Sequence, residues 1–318
     1  MNSGFIFNAL GKGIIIFAGV MSIIAYLTLA ERKVVAYIQE RYGPNRVGPF
    51  GLLQPIADGI KLIFKEEIIP QNVDLILYLL APVVTASMAL LPFAVIPFAE
   101  NFFLSDINIG ILYIISASIL ATYGIILGGW ASPSKYSLLG GLRAGAQLIS
   151  YEIPFGLAIL GVVMMAGSLS LVDIVKAQKN QWFITPQFLG FIVALISIFA
   201  ETNRLPFDLP EAESELVAGF HTEYSSFKFG LFFLGEYAHL VAVSALMTTL
   251  YLGGWNGPYL PGFIIFAIKT FLLIFLFMWV RWTFPRFRFD QLMKFGWKVL
   301  IPLALLNLLL TGLLKVVL

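Results

Sequence analysis

Long apolar segments alternate with short polar ones along the whole chain. Eight of these segments reach the length of about 17–25 residues that a helix needs to cross a bilayer. They cover approximately residues 13–30, 75–98, 109–130, 148–168, 187–205, 229–252, 260–281 and 297–317. The ten-residue alternation typical of a membrane β-barrel does not occur. The pattern predicts an all-α polytopic membrane helix bundle, formed as a single integral membrane domain over residues 1–318.

The connection between the first two predicted spans has a helical pattern of its own. Turn signals at Gly43-Pro44-Asn45 and Gly48-Pro49 precede apolar residues at helical spacing, with Asp58 and the lysines 61 and 65 between them. This pattern predicts an amphipathic helix that lies in the membrane interface and ends near Pro70, although a solvated connector is the alternative.

The distribution of basic residues predicts the orientation. Eight spans put both termini on one side, and the connections on the opposite side carry fifteen of the twenty lysines and arginines. Because basic residues accumulate on the cytoplasmic side, we expect the odd-numbered loops in the cytoplasm or matrix and both termini on the periplasmic or intermembrane side. These basic residues also suit anionic lipid, whereas nucleic acid is not expected as a partner of so apolar a chain.

Acidic residues concentrate at the end of the fifth predicted span. The tract from Glu201 to Glu215 holds five of the 18 acidic residues of a chain with only 12% charged residues. Glu152 and Glu236 lie in or near the two neighbouring spans, where burial disfavours a charged carboxylate. This clustering favours a proton path. A structural ion pair of Glu201 with Arg204 is the alternative.

The remaining polar residues limit the chemistry of the chain. Tyr237 and His239 stand beside Glu236, and a histidine near a carboxylate can relay protons, although such a histidine is more often structural. After Asp208 the pattern allows a short helix with Glu211 and Glu215 on one face. The chain has no cysteine and two histidines, so we expect neither a metal site nor a covalently bound cofactor.

Several motifs occur in an order that resembles one known family. They are Glu31-Arg-Lys, Gln39-Glu-Arg-Tyr-Gly-Pro-Asn-Arg-Val-Gly48, Gly51-Leu-Leu-Gln-Pro-Ile-Ala-Asp-Gly-Ile-Lys61, Glu201-Thr-Asn-Arg-Leu-Pro-Phe-Asp-Leu, Glu213-Ser-Glu-Leu-Val, Phe233-Leu-Gly-Glu-Tyr-Ala-His239, Leu252-Gly-Gly-Trp255 and Pro285-Arg-Phe-Arg-Phe-Asp-Gln-Leu-Met293. Together they resemble the H-type membrane subunit of the proton-pumping NADH–quinone oxidoreductase, respiratory complex I. The resemblance covers essentially the whole chain.

The resemblance implies a subunit of a bacterial or mitochondrial inner membrane that contacts other membrane subunits and the hydrophilic arm. Quinone would be the substrate, and the iron–sulfur clusters and the flavin would belong to partner subunits. The residues implied for the quinone tunnel are Arg32, Arg41, Asp58, Lys61, Arg281 and Arg286. Those expected for proton coupling are Glu152, Glu201, Asp208, Glu211, Glu213, Glu215, Glu223 and Glu236, with Tyr237 and His239 beside them.

Two residues depart from the pattern of this family. Ala212 stands where glycine is expected, and His221 where asparagine is expected. Two other functions stay open at this point: the membrane anchor of a related hydrogenase-type complex, and a secondary transporter. A transporter should show internal repeats or paired broken helices. By inspection the sequence has neither, with one obvious break after Leu205.

The orientation leads to a first prediction. Single cysteines placed at positions 135 and 177 of this cysteine-free chain should be labelled from the cytoplasmic and the outer side respectively, because the basic loops stay in the cytoplasm. Membrane-impermeant thiol reagents added to sealed vesicles of each orientation measure this. Labelling of position 135 from the outer side, with position 177 protected, would reverse the assignment.

Overall fold

A computed structural model describes residues 3–317, without the side chains of residues 3–9, 213 and 317. Within that range the secondary structure is helical, which confirms the all-α prediction. The α-helices are α1 (Ser3–Ile38), α2 (Gln54–Phe64), α3 (Leu75–Leu90), α4 (Gly110–Ala131), α5 (Lys135–Ala166), α6 (Leu171–Ala177), α7 (Phe188–Glu201), α8 (Glu213–Leu216), α9 (Ser226–Tyr251), α10 (Gly262–Thr283), α11 (Phe289–Phe295) and α12 (Ile301–Val317). A π-helical segment, Gly296–Leu300, joins α11 to α12.

Seven of the eight expected spans correspond to helices that are long and apolar enough to cross a membrane. The eighth corresponds to α7, which has 14 residues and is shorter than the minimum of about 17. It ends at Glu201 rather than near residue 205, because Asn203 adopts the left-handed conformation with φ 52°. The chain turns there and carries Arg204 into the interior, where its side chain is 1% exposed.

The third loop is shorter than the hydrophobic pattern suggests. Helix α5 begins at Lys135 and has 32 residues, so Lys135 and Arg143 belong to a helix and not to a loop. The polar first turns of α5 hid this extension in the sequence. Gly129 of α4 lies against the carbonyl of Ser137, where an added Cβ would come within 2.5 Å of that oxygen, so the glycine permits a close approach of α4 and α5.

The amphipathic helix of the first loop exists as α2, but it ends at Phe64 and not near Pro70. Lys65 is extended at its carboxyl end. The hydroxyl of Ser226 approaches the carbonyl oxygens of Leu62 and Lys65 at 3.0 and 2.7 Å, and the ammonium of Lys228 pairs with Glu67. These contacts attach the end of α2 to the beginning of α9.

The short helix expected after Asp208 is smaller than the pattern allowed. Helix α8 has four residues, and Ala212 before it has φ 33° in the left-handed region. That conformation explains why glycine is the residue expected at this position. Glu211 therefore lies outside the helix, and it does not share a helical face with Glu215.

One large apolar cluster connects the bundle. It takes buried residues from α1, α3, α4, α5, α6, α7, α9, α10, α11 and α12. Helix α9 is central, with a continuous buried run from Tyr237 to Tyr251. At its carboxyl end the ammonium of Lys269 donates to the carbonyl oxygens of Leu252, Gly254 and Asn256 at 2.5, 3.0 and 2.7 Å. The opposite end of the bundle holds the charged groups described next.

Candidate functional site: a buried charge network beside two cavities

A charge network forms around the buried guanidinium of Arg204. Its Nε donates to Glu236 Oε1 at 2.9 Å, and its Nη1 donates to Glu31 Oε2 at 3.3 Å. Glu31 also accepts hydrogen bonds from Arg281 Nη1 and from the hydroxyl of Tyr237, each at 2.6 Å. Two carboxylates and two guanidinium groups thus balance one another. Removal of one of them would leave a buried charge unpaired.

The network joins elements that are far apart in sequence. Glu31 lies in α1, Arg204 follows α7, Glu236 and Tyr237 belong to α9, and Arg281 belongs to α10. Burial alone would lower the pKa of Arg204, but the charges of Glu31 and Glu236 raise it, so this arginine stays charged. The sequence analysis omitted Glu31 from the expected site. Its signal was present, as the acidic residue of a motif at the end of an apolar segment.

Glu201 has surroundings different from those of the alternative considered above. Arg204 bonds to Glu31 and Glu236, so the expected ion pair of Glu201 with Arg204 is wrong. The turn at Asn203 directs the arginine away from the end of α7. The nearest charged partner of Glu201 Oε1 is instead Nε2 of His239, at 3.6 Å. That distance is too long for a direct hydrogen bond.

A cavity of about 210 Å³, here called the acidic chamber, brings several expected residues together. It lies between α3, α4, α7, α9 and the segment that follows α8. Its charged and titratable lining consists of Glu201, Glu211, His221, Glu236, His239 and Arg281. Both ring nitrogens of His239 lack a hydrogen-bond partner among the described protein groups. Buried polar atoms of this kind are normally satisfied by water, for which the chamber has room.

Asp208 forms a second ion pair close to the network. Its Oδ2 accepts from Arg286 Nη2 at 2.7 Å, and Arg286 Nη1 also donates to Ser214 at 2.9 Å. Burial raises the pKa of Asp208 to about 7, with a further contribution from the charge of Glu211, although Arg286 opposes the shift. Asp208 can therefore exchange a proton near neutral pH.

His221, one of the two departures from the family pattern, faces Glu211. Its Nε2 lies 3.7 Å from Glu211 Oε1, and its ring packs edge-on against Phe229. Burial alone would lower the pKa of His221, but the proximity of Glu211 and the charge of Glu236 raise it on balance. Burial would raise the pKa of Glu211, and His221 reverses this to a net lowering. The substitution thus introduces a charged pair at the wall of the acidic chamber.

A second and larger cavity, here called the amphipathic cavity, has a volume of about 700 Å³ and lies between α1, α2 and α9. Arg32 Nη1 donates to Asp58 Oδ2 at 2.7 Å at its rim, and Lys61 lines it as well. The rest of its wall is mainly apolar. This combination suits a ligand with a long apolar tail and a polar headgroup.

The other expected site residues lie apart from these two cavities. Arg41 bonds to Gln39 at 2.8 Å in a separate surface recess. Arg281 and Arg286, expected at the tunnel, bond to Glu31 and Asp208 instead. The carboxylates of α5 and the acidic segment divide as well. Glu152 is partly buried in α5, Glu215 pairs with Arg143 at 2.6 Å, Glu223 accepts the hydroxyl of Tyr78 at its backbone carbonyl, and the side chain of Glu213 lies outside the described residues.

These features define a class of protein: a polytopic membrane subunit with a buried charge network between an acidic chamber and an amphipathic cavity. In the part of the chain that the structure describes, no group of three or more histidine, cysteine, aspartate or glutamate residues is placed to hold a metal ion. The profile of the NADH dehydrogenase family matches residues 11–312, so the chain belongs to this family.

Individual relatives agree with the family assignment, and each is an H-type subunit of NADH-quinone oxidoreductase. The chain is 55% identical to the first of two such subunits of Geobacter metallireducens over 95% of each chain. It is 55% identical to the one of Rickettsia typhi over 91% of this chain and 88% of the relative. For the one of Magnetococcus marinus the identity is 50%, over 94% and 89%. The resemblance expected from the motifs is confirmed.

The His221–Glu211 pair leads to a second prediction, for the variant His221→Asn. A histidine whose pKa is raised by folding adds stability below its unfolded pKa of about 6.5, and this stability is lost as the pH rises through the folded pKa. The lowered pKa of Glu211 sets the acidic limit of the window. The wild type should therefore exceed the variant in stability at mildly acidic pH and converge with it at alkaline pH.

The midpoint of thermal inactivation of the purified assembly, measured from about pH 5 to pH 9, tests this dependence. A difference between wild type and His221→Asn that stays constant across the range would show that the pair does not titrate as described.

Proposed function

We propose that this chain is the quinone-tunnel and coupling subunit of a proton-translocating NADH–quinone oxidoreductase. It acts within that enzyme, contacts its other subunits, and is inactive alone. The names of the relatives and the family profile support the enzyme. The observation that carries the proposal is the position of the buried charge network. It lies between a cavity suited to quinone and an acidic chamber suited to proton transfer.

The amphipathic cavity supports the quinone part of the proposal. Its apolar wall would accept an isoprenoid tail, and Arg32, Asp58 and Lys61 would contact the headgroup as it passes. The chain has no cysteine, so electrons would arrive from iron–sulfur clusters and a flavin in partner subunits. Membrane lipid would surround the bundle, with both termini on the outer side.

The acidic chamber supports the coupling part of the proposal. A change of charge in the amphipathic cavity acts on Glu31 through the hydroxyl of Tyr237, and Arg204 carries that influence to Glu236 in the chamber wall. In a poorly solvated interior such charges interact over longer distances than in water. Glu201 and His239, which are free of the arginine pair, are then the groups placed to exchange a proton with water in the chamber.

A third prediction tests the quinone cavity with Asp58→Asn. The Arg32–Asp58 pair is largely solvent-exposed, so its loss should cost little stability. Quinone reduction by the assembled complex should fall roughly tenfold, equivalent to about 1.4 kcal/mol in the barrier. Electron transfer from NADH to artificial acceptors should persist.

The matched control is Asp290→Asn, which breaks the exposed pair with Arg288 outside both cavities. Steady-state rates with quinone and with an artificial acceptor make the comparison. Normal quinone kinetics in Asp58→Asn would remove this loop from the quinone path.

A fourth prediction tests the coupling role with Glu201→Gln. Glutamine keeps the shape of the side chain and its hydrogen bonding, but it cannot exchange a proton. Because Glu201 forms no ion pair with Arg204, the variant should assemble with a full complement of subunits. Quinone-coupled turnover and pumping should both fall at least about tenfold.

The proton-to-electron ratio of the purified complex in sealed vesicles, together with its subunit content, measures the outcome. Glu100→Gln is the control, since Glu100 is exposed and lies outside both cavities. Full turnover at an unchanged ratio would remove Glu201 from the pathway.

A further inference from the structure

Helix α9 stands between the acidic chamber and the amphipathic cavity. Phe229 and Phe233, one turn apart on this helix, line both of them. Their ring centroids are 6.0 Å apart with an interplanar angle of 25°, and Phe233 also packs against the ring of Tyr237 at 4.9 Å. We call Phe229 and Phe233 the aromatic partition, because two benzyl side chains are the shared wall of the two spaces.

The partition separates groups that would otherwise exchange protons through water. On one side lie the carboxylates of the acidic chamber, and on the other lie Arg32, Asp58 and Lys61. A proton moves along continuous hydrogen bonds, and an apolar constriction interrupts them by excluding water. Neither phenylalanine offers a donor or an acceptor.

A polar connection passes beside the partition. Tyr237 lines the amphipathic cavity and donates to Glu31, which is bonded to Arg204, and Arg204 is bonded to Glu236 in the wall of the acidic chamber. The guanidinium of Arg204 also lies 4.5 Å from the centre of the Tyr237 ring. We call these four residues the polar bridge. Its contacts are fixed ion pairs and hydrogen bonds, so it responds to charge without opening a water channel.

We propose that the aromatic partition is a proton seal between the quinone cavity and the acidic chamber, which restricts communication between them to the polar bridge. Phe229 and Phe233 are positioning residues in this scheme, since they keep two populations of water apart. The inference rests on the proposed function for its consequence in pumping. The seal itself is a property of the cavities and can be measured separately.

The first experiment measures the seal without any turnover. Thr122→Cys places a thiol in the acidic chamber and Thr28→Cys places one in the amphipathic cavity of this cysteine-free chain. The purified complex is treated with a small charged methanethiosulfonate, and peptides of this subunit are quantified by mass spectrometry. Because reaction requires access, Phe233→Ala should raise the rate at position 122 by about tenfold or more and leave position 28 unchanged.

Two conservative changes complete this experiment. Phe233→Leu retains an apolar side chain and should keep position 122 slow to react. Phe229→Ala gives a second opening of the same wall, which preserves the test if Phe233→Ala fails to assemble. Equal rates at position 122 in the wild type and in both alanine variants would overturn the seal.

The second experiment measures the consequence. In sealed vesicles, Phe233→Ala should keep quinone reduction within about twofold of the wild type and lose about half or more of the protons moved per electron. Phe233→Leu should restore the ratio, which a purely structural role would not require. Phe227→Ala, on the exposed side of α9, is the control.

The two experiments separate the possible failures. Faster labelling with an unchanged proton-to-electron ratio would overturn the role of the partition in coupling. Faster labelling in Phe233→Ala, together with full pumping in Glu201→Gln, would contradict the proposed function of the chamber and leave the physical barrier established.

Discussion

The burial of the Arg204 guanidinium is the constraint on which the rest of this structure depends. An arginine with 1% of its side chain exposed requires carboxylates at fixed positions. Glu31 and Glu236 provide them, and Arg281 completes the balance of charge. Helices α1, α9 and α10 therefore meet around the turn that ends α7. The two cavities lie on either side of that meeting point.

The same network separates structural acids from acids that are available for proton exchange. Glu236 is held by Arg204, whereas Glu201, one turn before that arginine, faces His239 without a direct hydrogen bond. Asp208 is intermediate, since it is paired with Arg286 and still has its pKa raised to about 7 by burial. Carboxylates that look equivalent in the acidic tract thus differ because of the partners that the fold assigns to them.

The sequence was sufficient for the fold class, for most of the spans and for the family, because hydrophobic length and long ordered motifs are local signals. It was insufficient where partners are distant. Arg204 follows Glu201 by three residues, which suggests a helical pair, but the left-handed Asn203 turns the arginine toward α1 and α9. Glu31 resembled a simple helix-end residue. The helical extension of α5 to Lys135 was missed because its first turns are polar.

The sequence separations within the charge network have a consequence for biogenesis. Glu31 bonds to Arg204 across 173 residues and to Arg281 across 250 residues. Synthesis proceeds from the amino terminus, so α1 is made well before either cation exists. A lone charged side chain within the bilayer costs about 2.5–3.5 kcal/mol on insertion scales. The first helix therefore waits at the membrane with an unsatisfied acid, and docking of α10 near the end of translation locks it into its final position.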